Sequence, residues 1–176
     1  MFDIKFIILS SAFVILIFIG ESYSLIDNDT PRLSDDKLRI ENVSTDLKEP
    51  TSLAFLNSND FLVLEKNNGT VQRIINGTIS LKPVLDVNVN GEEERGMLGI
   101  AVSKNNSASS NKTFVFLYYT EAKDKDGGEP IGNRLYRYEL VNDKLINPKL
   151  LLDLPYKPGP SHNGGVVTIG PDENVY

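Results

Sequence analysis

The sequence contains no cysteine and a single histidine, His162, among its 176 residues. The absence of cysteine excludes disulfide bonds, zinc–thiolate sites and thiol catalysis. No run of lysine or arginine occurs and the net charge is −6, which argues against nucleic acid as a partner. The sequence also lacks a glycine-rich phosphate-binding loop and, after residue 25, a convincing amphipathic helix. Its length still suffices for one domain with a buried core.

One long apolar run sets the N-terminus apart. Lys5 precedes the run Phe6–Gly20, and the small residues of Ser22-Tyr23-Ser24 follow at the spacing that a signal peptidase reads. The run has 15 residues, whereas a bilayer-spanning helix needs roughly 20. This pattern is typical of an export signal. We therefore predict that residues 1–24 are a signal peptide or an N-terminal membrane anchor through residues 6–20. The protein is then exported, and is extracellular or anchored on the outer face.

Residues 25–37 are polar and acidic and contain Pro31, which predicts a tether. From residue 38 onward, short apolar segments alternate with turn-forming residues, which predicts an all-β domain. The predicted strands are Ser52–Leu56, Phe61–Glu65, Thr70–Ile75, Thr78–Leu81, Met97–Val102, Thr113–Tyr119, Asn133–Leu140, Lys149–Leu154 and Gly165–Ile169, with a further strand starting at Asn174–Tyr176. Asn76-Gly77 is a strong hairpin signal, and turns are also predicted at Asn142-Asp143 and at Gly170–Glu173. Residues 104–112 are predicted to be a polar loop.

A loose repeat distinguishes among all-β architectures. The segments that begin at Pro50, Gly96 and Gly164 share one plan: an apolar strand, a polar turn and a second apolar strand. Where the chain continues, an outer amphipathic strand follows, as in the blades of a β-propeller. The sequence thus predicts two blades and the beginning of a third, about two and a half in all. Because a closed propeller needs at least four blades, we expect a truncated propeller.

The histidine lies in the stretch Ser161-His162-Asn163-Gly164-Gly165, directly before a predicted strand. In a propeller the innermost strands line a central channel, and the loops that lead into them surround one mouth of it. Glycines at this point allow another backbone or a flat ligand to approach closely. Histidine is also the usual general base for an alcohol proton. The alternative is an exposed loop histidine that is hydrated by water.

Three segments resemble the glucose/sorbosone dehydrogenase family, which comprises PQQ-dependent soluble aldose dehydrogenases with a six-bladed propeller. They are EPTSLAFLNSNDFLVLEKNNGTVQRI from Glu49, GEEERGMLGIAVSKN from Gly91 and SHNGGVVTIGPDENVY from Ser161. The second resembles the family's Gly-Leu-Leu-Gly segment, and the third its histidine motif followed by Gly-Pro-Asp. The resemblance identifies residues 38–176 as a partial β-propeller sugar dehydrogenase domain, of which it covers the opening part.

The resemblance implies a function and a set of site residues. His162 corresponds to the catalytic base, which takes the proton of the anomeric hydroxyl while hydride passes to PQQ. Glu94 stands where the family commonly has a glutamine near cofactor and substrate. Ser161 stands where glucose-oxidising members carry an aspartate, and Asn163 lines the same mouth. The expected protein is thus an exported aldose dehydrogenase that forms lactones, with PQQ and calcium as cofactors, a sugar as substrate and a separate electron acceptor.

Other acidic clusters have ordinary explanations. Glu92, Glu93 and Glu94 could bind a cation, but a solvated loop is the better explanation for them. Asp124 and Asp126 resemble a calcium loop without the glutamate at the twelfth position, which favours a flexible loop between blades. No metal ligand is assigned within the chain. The alternatives to the enzyme are a non-enzymatic cell-surface propeller that binds sugars or proteins, and a hydrolytic propeller of the lactonase kind.

Overall fold

The computed structural model describes residues 33–44, 46–107 and 110–176. The predicted export signal or anchor of residues 1–24, and most of the predicted tether, lie outside these ranges. The chain divides into two compact units, residues 1–41 and 42–176. In the described part of the first unit, Asp35 accepts hydrogen bonds from the backbone N–H groups of Lys37 and Leu38. No helix long and apolar enough to span a bilayer occurs in the described ranges.

The described part of residues 42–176 forms two antiparallel sheets, in which neighbouring strands follow one another in chain order except that the fifth strand of the first sheet pairs with the third. The first sheet comprises β1 (Pro50–Asn57), β2 (Asp60–Glu65), β3 (Thr70–Ile75), β4 (Thr78–Ile79) and β5 (Leu85–Asp86). The second comprises β6 (Met97–Ser107), β7 (Ser110–Ala122), β8 (Pro130–Val141) and β9 (Lys144–Leu154). Four strand positions in sequential order are the arrangement of a propeller blade.

The turns between strands follow the residues that the sequence supplies. Asn76 and Gly77 both have positive φ angles, +50° and +77°, as a two-residue hairpin turn requires. Asn142 and Asp143 adopt the same left-handed region between β8 and β9, with φ angles of +46° and +61°. Short polar residues tolerate this conformation best. The predicted turns at these two positions therefore coincide with the observed hairpins.

Three predicted boundaries were wrong. Residues 104–107 and 110–112 are not a loop, because β6 continues to Ser107 and β7 begins at Ser110; polar residues pair through their backbones as readily as apolar ones. The strand from Thr78 ends at Ile79, and β5 takes up pairing with β3 again after an interruption that contains Pro83. Proline has no N–H to donate to a ladder.

The predicted strand Gly165–Ile169 is also shorter than expected. Gly164 and Gly165 have φ angles of +79° and +148°, which are not those of a strand. Pairing begins only at Thr168, whose N–H and C=O exchange hydrogen bonds of 2.9 Å with Tyr176. An isolated bridge joins Ile169 and Val175. Residues 168–176 therefore form a small hairpin, as the turn at residues 170–173 predicted.

The hydrophobic core lies between the two sheets. It includes side chains from both, of which the most deeply buried are Leu62, Leu64, Val71, Val89, Met97, Val115 and Leu117. Burial of each such side chain contributes about 1.5–3 kcal/mol. Backbone hydrogen bonds also connect the sheets, from the N–H of Met97 to the carbonyl of Lys66 at 2.9 Å and from that of Leu145 to the carbonyl of Val84 at 2.8 Å. The two sheets are thereby held as one body.

Candidate active site

His162 lies in the loop between β9 and the hairpin of residues 168–176. Its φ angle is +62°, which is uncommon for any residue other than glycine because the Cβ crowds the backbone. The side chain is exposed, and the imidazole forms no hydrogen bond with a residue that the structure describes. A β-carbon added at Gly164 would meet no atom closer than the Tyr118 hydroxyl oxygen at 3.7 Å. The imidazole is thus presented to solvent from a strained turn, a feature that often marks functional sites.

Two of the three glutamates before β6 contact the histidine loop directly. The backbone N–H of His162 donates to Oε2 of Glu94 at 2.5 Å, and the Ser161 hydroxyl donates to Oε2 of Glu93 at 2.9 Å. The N–H of Glu94 donates back to the carbonyl of Pro160 at 3.3 Å. The structure therefore brings together three residues predicted for the site: Glu94, Ser161 and His162. Each of the two carboxylates has one hydrogen-bond donor from the histidine loop, and all three glutamates are exposed.

Asn163, the fourth predicted site residue, faces the interior. It is 7% exposed, its Oδ1 accepts from Nδ2 of Asn133 at 3.1 Å, and its own Nδ2 donates to the carbonyl of Pro160. The Tyr118 hydroxyl donates to the backbone carbonyl of Asn163 at 2.6 Å. Burial raises the pKa of Tyr118, so this hydroxyl stays protonated and remains a donor near neutral pH. The side chain of Asn163 is thus buried and holds the histidine loop from its interior side. It does not line the mouth of the predicted channel.

Arg95 ties the acidic loop to the segment after β9. Its guanidinium donates to Oε2 of Glu92 at 3.1 Å and to the carbonyl of Tyr156 at 2.9 Å. It also lies 5.7 Å from the centre of the Tyr156 ring, within the range of a cation–π interaction. Arg95 is 5% exposed, and its buried Nε has no hydrogen-bond partner among the described residues. A buried positive charge therefore lies beneath a loop that carries three negative ones.

The two glycine-containing motifs of the sequence pack against each other. A β-carbon at Gly99 in β6 would lie 1.9 Å from the carbonyl oxygen of Gly165, and one at Gly165 would lie 3.1 Å from Cβ of Leu98. Side chains do not tolerate such a separation from backbone atoms, so only glycine fits at residue 99. This contact sets the position of the segment after His162 relative to the first strand of the second sheet.

A left-handed residue precedes each sheet as well as the final hairpin. Glu49 (φ +47°) stands directly before β1, Glu93 (φ +48°) stands before β6, and His162 precedes the hairpin of residues 168–176. Glu49 is connected to the loop 91–96 through Asn67 and Lys66, which follow β2. Its carboxylate accepts from the Asn67 side chain, and the adjacent Lys66 donates to the carbonyl of Gly91 at 2.9 Å. Glu49 therefore belongs to the same end of the sheets as the predicted site.

No group of three or more aspartate, glutamate or histidine side chains gathers in a metal-binding arrangement within the described ranges. In the loop that resembled a calcium loop, the Asp126 carboxylate accepts the N–H of Val89 at 2.9 Å. The N–H of Gly127 donates to the carbonyl of Val89 at 2.8 Å. Asp126 thus anchors this loop to the chain between the two sheets.

Three residues at the site were not predicted from the sequence: Glu49, Arg95 and Asn133. Arg95 contacts a residue 61 positions away, and Asn133 one 30 positions away. A single sequence does not show such contacts. The only available signal was local: Glu49 and Arg95 each border a segment that the sequence singled out, whereas Asn133 reads as an ordinary strand residue.

Comparisons with known proteins address the family and the fold of this chain. A family model described as Glucose / Sorbosone dehydrogenase matches residues 47–176, and no curated protein gives a match. A solved PQQ-bound form of aldose sugar dehydrogenase (Adh) from Streptomyces coelicolor is 29% identical, with a TM-score of 0.61 over 77% of this chain and 39% of that chain.

Two solved glucose dehydrogenases are similar in fold. One is 22% identical, with a TM-score of 0.61 over 77% of this chain and 38% of that chain. The other is 24% identical, with a TM-score of 0.57 over 73% of this chain and 40% of that chain. The chain thus spans about two fifths of the length of these structures. Together with the two sheets, the likeness confirms the predicted all-β, propeller-type class and the predicted family resemblance.

Proposed function

Because this chain belongs to the glucose/sorbosone dehydrogenase family, we propose that it forms part of a PQQ-dependent oxidoreductase. The proposed reaction converts the anomeric hydroxyl of an aldose to a lactone and passes the electrons to a separate acceptor. The observation that carries the proposal is the exposed His162 imidazole, which is held in a left-handed turn and has no hydrogen-bond partner in the described part of the chain.

His162 is the proposed general base. A neutral imidazole accepts the proton of a hydroxyl group placed within about 2.6–3.2 Å of its nitrogen. Two hydrogen bonds hold the histidine loop against Glu94, one donated by the backbone N–H of His162 and one donated by the backbone N–H of Glu94. Neither bond uses the imidazole ring. The ring nitrogens therefore remain available for a sugar hydroxyl. Deprotonation of the hydroxyl raises the electron density on the anomeric carbon, from which hydride must depart.

A flat, anionic cofactor fits this site through charge compensation alone, because the exposed carboxylates of Glu92, Glu93 and Glu94 repel negative groups. PQQ, when bound, supplies the carbonyl carbon that accepts the hydride. A β-carbon at Gly164 would make only van der Waals contact with Tyr118, and the Ser161 hydroxyl and Glu94 side chain lie at the surface of the same loops. Hydrogen bonds from Ser161 and His162 partly compensate the negative charges of Glu93 and Glu94. The ion pair with Arg95 offsets the charge of Glu92. Ser161 and Glu94 are the residues proposed to contact the cofactor, and Asn163 supports them from below.

Calcium, export and the electron acceptor complete the proposal. The family resemblance supports calcium as a second cofactor. The apolar run at residues 6–20 supports export or an outer-face anchor, which would give the site access to extracellular sugars. The electron acceptor is proposed as a separate partner because a sugar dehydrogenase must return its reduced cofactor to the oxidised state after each turnover.

The test is His162→Ala in the complete gene product, reconstituted with PQQ and calcium and assayed with aldoses and an artificial electron acceptor. Loss of a positioned base should lower the rate by about 10²–10⁴-fold while the affinity for PQQ changes little. Gly159→Ala is the matched control in the same loop, because a β-carbon there meets nothing within 4 Å. Full activity of His162→Ala would contradict the assigned base. A wild-type protein that neither binds PQQ nor reduces the acceptor would contradict the enzyme and favour a sugar- or protein-binding propeller.

A further inference from the structure

Asn133, on β8, lies at the centre of a buried hydrogen-bond network below the histidine loop. It is 5% exposed and stands opposite Thr120 of β7 in the strand register. Its Oδ1 accepts from the Thr120 hydroxyl at 2.6 Å, and its Nδ2 donates to Oδ1 of Asn163 at 3.1 Å and to the carbonyl of Pro155 at 3.3 Å. Both amide protons and the amide oxygen of Asn133 are therefore used.

The orientation of both amides follows from their partners. A backbone carbonyl can only accept a hydrogen bond, so Nδ2 of Asn133 must face Pro155 and Nδ2 of Asn163 must face Pro160. Oδ1 of Asn163 is then left to accept from Asn133, and Oδ1 of Asn133 is left to accept from Thr120. Only a neutral amide at residue 133 satisfies all of these partners. A carboxylate would place oxygen against oxygen, and an apolar side chain would leave two buried groups unpaired, the Thr120 hydroxyl and Oδ1 of Asn163.

This network holds the residue that directly follows His162. Asn163 is fixed through its side chain by Asn133 and through its carbonyl by Tyr118. The left-handed conformation of His162 is unfavourable by itself, and its imidazole forms no hydrogen bond with a described residue that would maintain it. The conformation must therefore be maintained by its neighbours: Glu94 at the N–H of His162 and the buried amides on the C-terminal side.

We propose that Asn133 is a positioning residue for the His162 imidazole. It acts through Asn163 and touches neither substrate nor cofactor. This inference rests on the proposed function for its catalytic consequence, but its structural content, the control of the His162 conformation from β8, is independent of activity. The two parts can therefore fail separately.

The chain offers a direct readout because His162 is its only histidine. Isotope labelling of histidine gives NMR signals from a single imidazole, whose positions and line widths report its conformation. The test variants are Asn133→Asp, which keeps the acceptor for Thr120 and loses both donors, and Thr120→Val, which removes one hydroxyl with little change in shape. Asp60→Asn is the control, since Asp60 is equally buried but pairs with Arg73 at the opposite end of the first sheet.

In both test variants we expect the imidazole signal to shift and to broaden or split, while the control keeps the wild-type signal. In the complete gene product, kcat should fall by about 10²-fold, the effect of a displacement of about 1 Å, and KM should change little. An unchanged imidazole signal in folded Thr120→Val and Asn133→Asp would overturn the inference. If Asn133→Asp does not fold, Thr120→Val decides alone. If the wild type lacks dehydrogenase activity, the proposed function fails, and the NMR comparison still decides whether Asn133 positions His162.

Discussion

Replacement of His162 by glycine and, separately, by alanine isolates the backbone strain at the proposed base. A left-handed conformation costs an L-residue about 1–2 kcal/mol, and alanine retains this cost because it retains the Cβ. Glycine removes it but loses about 0.5–1 kcal/mol through the greater freedom of the unfolded chain. The imidazole is exposed and without a partner in the described structure, so both variants lose the same few contacts. We therefore expect His162→Gly to be more stable than His162→Ala by about 0.5–1 kcal/mol.

Urea denaturation measures this difference directly. With a slope of about 2 kcal/mol per M urea, the midpoint of His162→Gly should lie about 0.3–0.5 M above that of His162→Ala. Val166 supplies the matched control pair, because it is exposed in the same segment and its φ angle is not positive. There the glycine variant should be the less stable by about 0.5–1 kcal/mol. Equal midpoints for the two His162 variants, or a higher one for alanine, would refute the left-handed conformation and the argument built on it.

Two further substitutions test the fold around the site. Burial would raise the pKa of Glu65, but hydrogen bonds from two side chains and one backbone N–H outweigh it and hold that pKa below its usual 4.5. Glu65→Gln should therefore lower the free energy of unfolding by about 1–3 kcal/mol at neutral pH. In urea titrations this difference should persist down to about pH 4.5 and shrink below it, and a pH-independent difference would contradict the role of the charge. Gly99→Ala should lower the free energy of unfolding by about 1–3 kcal/mol and speed the hydrogen exchange of backbone amides after Gly165. The control Gly159→Ala should stay within about 0.5 kcal/mol of wild type. Equal effects of the two substitutions would show that the close contact does not exist.

Much of the fold follows from local sequence signals. Alternating apolar residues predicted the positions of the central strands of both sheets, and Asn76-Gly77 predicted a hairpin. Both predictions were possible because strand faces and two-residue turns depend on residues close in sequence. The errors arose where backbone pairing does not depend on side-chain type. The polar residues 104–107 and 110–112 extend a hairpin, and the apolar residues after Gly165 pair only from Thr168.

The site was predictable only in its exposed part. His162, Ser161 and Glu94 belong to motifs that resemble a family, and the structure brings them together. Their support was not predictable, since Asn133 and Arg95 contact segments that are distant in sequence. The burial of Asn163 was likewise hidden, because an asparagine beside glycines is equally compatible with a surface loop and with a satisfied interior amide.

The left-handed residue that precedes each sheet bears on how such an architecture diversifies. Glu49, Glu93 and His162 each lie in the segment that leads into a structural repeat. Duplication of a repeat copies its leading turn together with its strands, so each new copy adds one further side chain at the same end of the sheets. The identity of that side chain is not constrained by strand packing, since the residue lies outside the ladder. Evolution, or a protein engineer, can therefore exchange a glutamate for an imidazole at one leading turn and create a reactive group while the scaffold stays unchanged.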